Sequence, residues 1–136
     1  MQGFPKNRLP GFTLTELLVV LAIIGILVLI ALPSLMPLIS KAKSTEAQQN
    51  LSLIHSLERA YRFEHFKYSN DFKAIGYEAN KTVKNGGSAD YSYEVTESGN
   101  TTFKVRATAE TDFDGDGVMN IWEIDQDKNL KEVQPD

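Results

Sequence analysis

The sequence predicts an α+β chain: a long N-terminal α-helix packed on a small antiparallel β-sheet of three to four strands. Three features carry that expectation. Leu17 to Leu32 contains no polar side chain, a helical stripe continues beyond it, and apolar and polar residues alternate in the last third of the chain.

The apolar run comes first. Phe12 to Leu32 spans 21 residues, roughly what a helix needs to cross a ~30 Å hydrocarbon core. Lys6 and Arg8 precede it and no acid accompanies them, so the positive-inside rule holds the N-terminus in the cytoplasm and places everything after Leu32 on the far side. One carboxylate, Glu16, sits within the span. At the centre of a membrane helix such a charge costs about 2.5–3.5 kcal/mol, so Glu16 asks for a cation or a function that compensates. A secretory signal peptide places its small-residue cleavage site after the apolar core, whereas the small residue here, Gly11, comes before it. Cutting there would leave the hydrophobic helix on the product.

Past Pro33 and Pro37 the chain becomes polar and periodic, with Ala47, Leu51, Ile54, Leu57 and Tyr61 recurring at steps of three or four. No capping signal separates this stripe from the apolar run. One helix is therefore expected from about Phe12 to about Phe63, some 52 residues and roughly 78 Å long at ~1.5 Å per residue. Pro33 removes a backbone hydrogen bond and Gly25 weakens the helix upstream. The span between them is a natural place for a bend or local melting, although both residues are also tolerated in ordinary membrane helices. The organisation that follows is a leader over 1–11, a membrane-spanning half over 12–39, an amphipathic half over 40–66, and a loop with an antiparallel β domain over 67–136.

Tyr61, Phe63, Phe66 and Tyr68 close the helix, and four aromatics in so short a stretch are expected to bury themselves between helix and sheet. His55 and His65 have no second ligand at helical spacing and are expected at the surface. The turn Asn85-Gly86-Gly87 is expected to open the β region. Tyr91, Tyr93 and Val95 alternate with polar residues, Ser98-Gly99-Asn100 turns the chain, and Phe103, Val105 and Ala107 alternate again. Ile121, Trp122 and Ile124 suggest a third strand, and Leu130 to Val133 a short fourth after the turn Asp127-Lys128-Asn129. The triplets beginning at Asn50, Asn80 and Asn100 fit the glycosylation acceptor pattern, a match cheap enough to be accidental.

The segment Asp112 to Glu123 fits the twelve-residue calcium-loop pattern. Acids fall at positions one, three and five as Asp112, Asp114 and Asp116. Gly117 stands where the loop must turn, Val118 would offer its carbonyl, Asn120 could hold a water, and Glu123 could bind through both oxygens. Nine acids and two bases lie between Ala109 and Asp136, a concentration that repels itself without a counter-ion. Calcium is the expected ligand. The preceding segment reads as a strand, so a paired helix–loop–helix sensor is not expected, and the Asp-Gly-Asp-Gly run is also a good hairpin turn.

Composition narrows the function. A formal charge of −4 argues against a nucleic-acid grip by bulk electrostatics, and with no cysteine no disulfide staples an exported domain. No Ser/His/Asp or Cys/His set and no acid pair that spacing would bring together supports an enzyme.

The order Gly11, Phe12, Glu16, then an uninterrupted apolar helix, resembles the class III leader of type IV prepilins and the related pseudopilins. That resemblance implies cleavage between Gly11 and Phe12 by a prepilin peptidase, methylation of the new Phe12 amine, and pairing of Glu16 with the amine of a neighbouring subunit as a helical filament assembles. It also implies that Gly25 and Pro33 bound a segment that loosens in the filament. Removing the 11-residue leader leaves 125 of 136 residues and a charge of −6, since Lys6 and Arg8 go with it. The expected protein is a type IV pilin, a non-catalytic homo-oligomeric subunit stored in the inner membrane and then assembled by the pilus machinery into an extracellular filament. The alternatives are a pseudopilin of a type II secretion system, in which calcium loops also occur, and a membrane-anchored calcium-binding module that never polymerises. Gly11 and Glu16 argue against the last, because anchoring needs neither.

Overall fold

The computed structural model describes residues 3–4 and 7–136; Lys6, one of the two leader cations, lies outside the described residues. A single α-helix, α1, runs from Leu14 to His65, and four strands follow: β1 (Tyr91–Ser98), β2 (Phe103–Ala109), β3 (Ile121–Asp125) and β4 (Leu130–Gln134). They form one antiparallel sheet in the order β1-β2-β3-β4. The chain divides into two compact units, Met1–Leu35 and Met36–Asp136.

In the first unit α1 is apolar on every side. Leu18, Leu21, Ile24, Leu27 and Ile30 are all exposed, and a helix apolar all round is one that water does not surround. It is long and apolar enough to cross a membrane. The helix continues without a break through Gly25, Pro33 and Pro37. A β-carbon added at Gly25 meets nothing within 4 Å, so packing within the chain does not demand a glycine there.

The second unit is built on the other half of α1. Ser40, Ser44, Ala47, Leu51, Ile54, His55 and Glu58 are its buried residues, at the steps of three and four that one helical face requires. Across from them, β2 alternates strictly, burying Phe103, Val105, Ala107 and Ala109; Tyr91 of β1 and Ile124 of β3 complete the core. β2 pairs with β1 on one side, Tyr93 opposite Ala107, and with β3 on the other, Val105 opposite Ile124. The loop between α1 and β1 is tied down at intervals. Tyr68 N–H donates to the Gly99 carbonyl at 2.8 Å, and Asp90 N–H to the Glu46 carboxylate at 3.0 Å. Lys43 Nζ donates to Asp90 Oδ1 at 2.7 Å.

Three expectations need correction. His55 is 3% exposed: it continues the Leu51 stripe by one helical turn, its Nε2 lies 3.2 Å from the Gln126 carbonyl, and its ring lies 5.8 Å from that of Phe103. His65 stays at the surface, stacked on Tyr61. Of the four aromatics, Tyr68 is buried and Tyr61 half-buried, but Phe63 and Phe66 are 88% and 84% exposed, because Phe63 falls on the face of α1 away from the Leu51–Ile54 stripe and Phe66 follows the helix end in left-handed backbone. At residues 83–87 a short 3₁₀ turn, Val83–Asn85, ends on left-handed Gly86, and the Gly87 amide returns to the Thr82 carbonyl at 2.9 Å. Strand β1 starts only at Tyr91.

Candidate functional site

Residues 11–16 make the first candidate site. Gly11 and Phe12 precede the helix in irregular, exposed backbone. A β-carbon at Gly11 has open space around it, so the fold of the chain itself does not select glycine there. Thr13 and Glu16 form a reciprocal cap: Glu16 Oε2 accepts the Thr13 N–H at 2.7 Å and Thr13 Oγ1 accepts the Glu16 N–H at 3.2 Å. This is a capping box, satisfying two backbone donors at the start of α1. Its signal, Thr-x-x-Glu before an apolar run, is plain in the sequence, and reading Glu16 only as a charge in want of a cation overlooked it. Among the described residues Glu16 makes no ion pair.

The second candidate site is the loop between β2 and β3. Oxygens of Asp112, Asp114 and Asp116 lie within 4.8 Å of one another. Backbone amides hold each carboxylate in place: Asp112 Oδ1 accepts from Gly115 at 2.6 Å and Oδ2 from Gly117 at 2.5 Å, Asp114 Oδ1 from Asp116 at 3.0 Å, and Asp116 Oδ1 from Val118 at 2.7 Å. Gly115 and Gly117 sit at φ of 85° and 89°, left-handed backbone that glycine adopts without penalty. The electrostatics follow the geometry. The Gly117 amide, with help from Gly115, draws the Asp112 pKa below its ordinary value. Asp114 behaves in the opposite way: its bond to the Asp116 amide lowers the pKa, but desolvation and the charges of Asp116 and Asp136 together leave it raised.

Two of the six residues expected as ligands point elsewhere. Asn120 is fully buried: its Oδ1 accepts the Tyr91 hydroxyl at 2.6 Å, and its Nδ2 donates to Glu132 Oε1 at 2.7 Å and to the Gln134 carbonyl at 3.0 Å. Glu123 lies on β3 opposite Arg106 and pairs with it through Nε at 2.9 Å and a terminal nitrogen at 2.7 Å. The cause is the element that follows the loop. A helix would bring position twelve back over the cation, whereas β3 extends away and its register with β2 fixes Glu123 beside Arg106. What remains near the expected centre is Asp112, Asp114 and Asp116, with Val118 adjoining them; three hard carboxylate donors suit calcium.

The comparisons with known proteins fall on the helix and its approach. Residues 7–32, which include Gly11, Phe12 and Glu16, match the family described as the prokaryotic N-terminal methylation motif. The competence protein ComGC of Halalkalibacterium halodurans is 32% identical over 85 residues, covering 60% of this chain and 83% of that protein. The chain belongs to the type IV pilin and pseudopilin family. Within it, the type IV major pilin protein PilA of Myxococcus xanthus is 40% identical over 73 residues, 54% of this chain and 32% of the relative. The type IV major alpha-pilin of Moraxella bovis is 45% identical over 58 residues, 43% of this chain and 36% of the relative. The chain spans about a third of the length of those two pilins.

Proposed function

We propose that this chain is a structural, non-catalytic subunit of a type IV filament, held in the inner membrane by the first half of α1 and polymerised through it. The observation that carries the reading is a glycine that the isolated chain does not need, placed directly before an apolar helix with one acid in its first turn. Gly11 stands where any side chain would fit, immediately ahead of a helix that is apolar on every side and carries one acid, Glu16, in its first turn. A prepilin peptidase that cuts after Gly11 gives the glycine a purpose. The amine it creates on Phe12 supplies a cation for the glutamate of a neighbour. Before cleavage Glu16 is occupied in capping its own helix, so its exchange of partners belongs to assembly.

Electron microscopy of sheared surface material tests this directly: long filaments containing the chain are expected, and Glu16→Gln should leave membrane insertion intact while filaments are lost. Normal filament yield from Glu16→Gln would refute the pairing. Absence of long filaments in a cell that secretes through this chain would favour the short pseudopilus instead.

We further propose that Asp112, Asp114 and Asp116 hold a calcium ion, with Val118 as the adjoining carbonyl donor. Bound there, calcium would neutralise the mutual repulsion of the three carboxylates and restrain the chain between β2 and β3. A ligand that binds only the folded state stabilises it by about 2.7 kcal/mol at 100-fold excess over Kd. A melting temperature that is the same in calcium and in chelator would reduce the loop to a hydrogen-bonded turn.

A further inference from the structure

Two phenylalanines in water at the end of α1 have no purpose in a single chain. Phe66 has a φ of 59° and its N–H donates to the Arg62 carbonyl at 2.8 Å. Helices most often place glycine at this left-handed position, and a bulky residue held there is strained backbone of the kind that accompanies function. With Arg59, Arg62 and Tyr68, the two phenylalanines border a groove of about 620 Å³. Arg62 is engaged, its Nε donating to the Asn100 carbonyl at 2.9 Å and its guanidinium lying 5.2 Å over the Tyr68 ring. Arg59 is exposed and makes no ion pair or side-chain hydrogen bond among the described residues.

The other end of the same unit is the complement of this one. There Leu38 and Ile39 are exposed on α1, and the Asp112–Asp116 loop lies alongside the start of the packed helix, with Lys43 Nζ 4.9 Å from the centre of the Phe113 ring. Glu132 and Asp136 border a neighbouring groove with Lys41. Five carboxylates gather at this end, enough that a bound calcium would still leave it negative. Leu38 and Phe63 are separated by 25 residues of helix, about 38 Å at ~1.5 Å per residue.

We propose that the Phe63–Phe66 end of one copy docks on the Leu38 and Asp114–Asp116 end of a second copy, apolar surface on apolar surface and Arg59 against the carboxylates. The inference rests on reading the chain as a filament subunit and names which parts of the domain meet in it. Charge selects the occupant. A two-fold contact of the aromatic end with itself would set Arg59 against Arg59, whereas the opposite end of a second copy offers both an apolar pair and the opposite sign. Such a contact joins two different surfaces, so that where its rotation does not close a ring it extends a polymer.

The chain has no cysteine, so introduced cysteines report without background. In filaments carrying Arg59→Cys together with Asp114→Cys, a short bismaleimide linker is expected to give a ladder of dimers and higher multimers, while either single variant stays monomeric. Arg59→Glu and Phe63→Ser change exposed side chains and should leave the membrane level and circular dichroism of the chain unaltered, yet each should lower filament yield about tenfold, the loss typical of one strong interface contact. Asp114→Lys with Asp116→Lys should restore assembly to Arg59→Glu. Wild-type chain that forms no filaments at all would overturn the filament reading itself. Intact filaments from Arg59→Glu and Phe63→Ser, with no ladder from the cysteine pair, would overturn this contact alone. So would variants that assemble normally and lose only retention on an anionic surface, for that outcome turns the patch outward.

Discussion

Replacing Asn120 by alanine is expected to remove a large share of the stability of the sheet-bearing unit. Three hydrogen bonds converge on this fully buried side chain, from the Tyr91 hydroxyl and to Glu132 and Gln134. Burial, reinforced by the neighbouring carboxylates Asp136, Asp90, Glu132 and Glu46, raises the Tyr91 pKa, so its hydroxyl remains a donor throughout the accessible pH range. Each net hydrogen bond contributes about 1 kcal/mol, and a buried polar group left without a partner costs about 1–3 kcal/mol more. Glu132 is exposed and can turn to water, but the Tyr91 hydroxyl cannot. A loss of about 3–5 kcal/mol follows, against a typical total of 5–15 kcal/mol. At roughly 4–8 °C per kcal/mol for a domain of this size, the melting temperature should fall by at least about 12 °C. Thermal unfolding of the chain in detergent, followed by the fluorescence of its one tryptophan, Trp122, reads the change directly. The loss should be the same in calcium and in chelator, because Asn120 bonds to β1 and β4 and not to the carboxylate cluster. A loss below about 1 kcal/mol would refute the clamp, and a loss seen only with calcium present would return Asn120 to the metal site.

Three further outcomes are expected. Glu58 is buried, with Oε2 accepting the Ser69 N–H at 2.9 Å and Oε1 without a partner; burial raises its pKa above 4.5 more than the Ser69 bond lowers it. The folded state therefore holds this proton more tightly than the unfolded state, so the group's contribution is most favourable below pH 4.5 and declines as pH rises through the raised value. Glu58→Gln should flatten that decline in denaturation midpoints measured across the interval, and an unchanged pH dependence would exclude Glu58 as its source. Gly87→Ala should loosen the 81–89 loop, since its β-carbon would overlap the Lys81 carbonyl oxygen, a backbone atom that no rotamer change can move; limited proteolysis would show new cleavage there, and resistance equal to wild type would contradict it. Asp114→Ala with Asp116→Ala should abolish any calcium-dependent rise in melting temperature, and a rise that survives would place the ion elsewhere.

Much of this architecture was legible in the residues. The apolar run and the Ala47–Leu51–Ile54 stripe share one uninterrupted helix, and the alternations at Tyr91–Val95 and Phe103–Ala107 lie on β1 and β2. What escaped notice had specific causes. The 3.6-residue period that buries Leu51 and Ile54 also buries His55 and Glu58, so polarity misled where geometry decided. Aromatic character points Phe63 and Phe66 inward, yet the same period turns Phe63 to the face shared with exposed Ser56 and Arg59, and Phe66 lies past the end of the helix. Asp112, Asp114 and Asp116 lie together within the loop. Beyond Val118 the strand pairing of Ile121 with Thr108 and Glu123 with Arg106 took control of the side chains, a long-range effect that spacing along the chain does not encode.

The central claim is that the chain is cut between Gly11 and Phe12 and enters a filament with Phe12 as its first residue. Intact mass of the subunit in sheared filaments, with sequencing of its N-terminal peptide, measures this most directly. Expected are 125 residues, beginning at Phe12 and carrying one methyl group on the terminal amine. A filament subunit that retains Met1 to Gly11, or begins at any other residue, would contradict it.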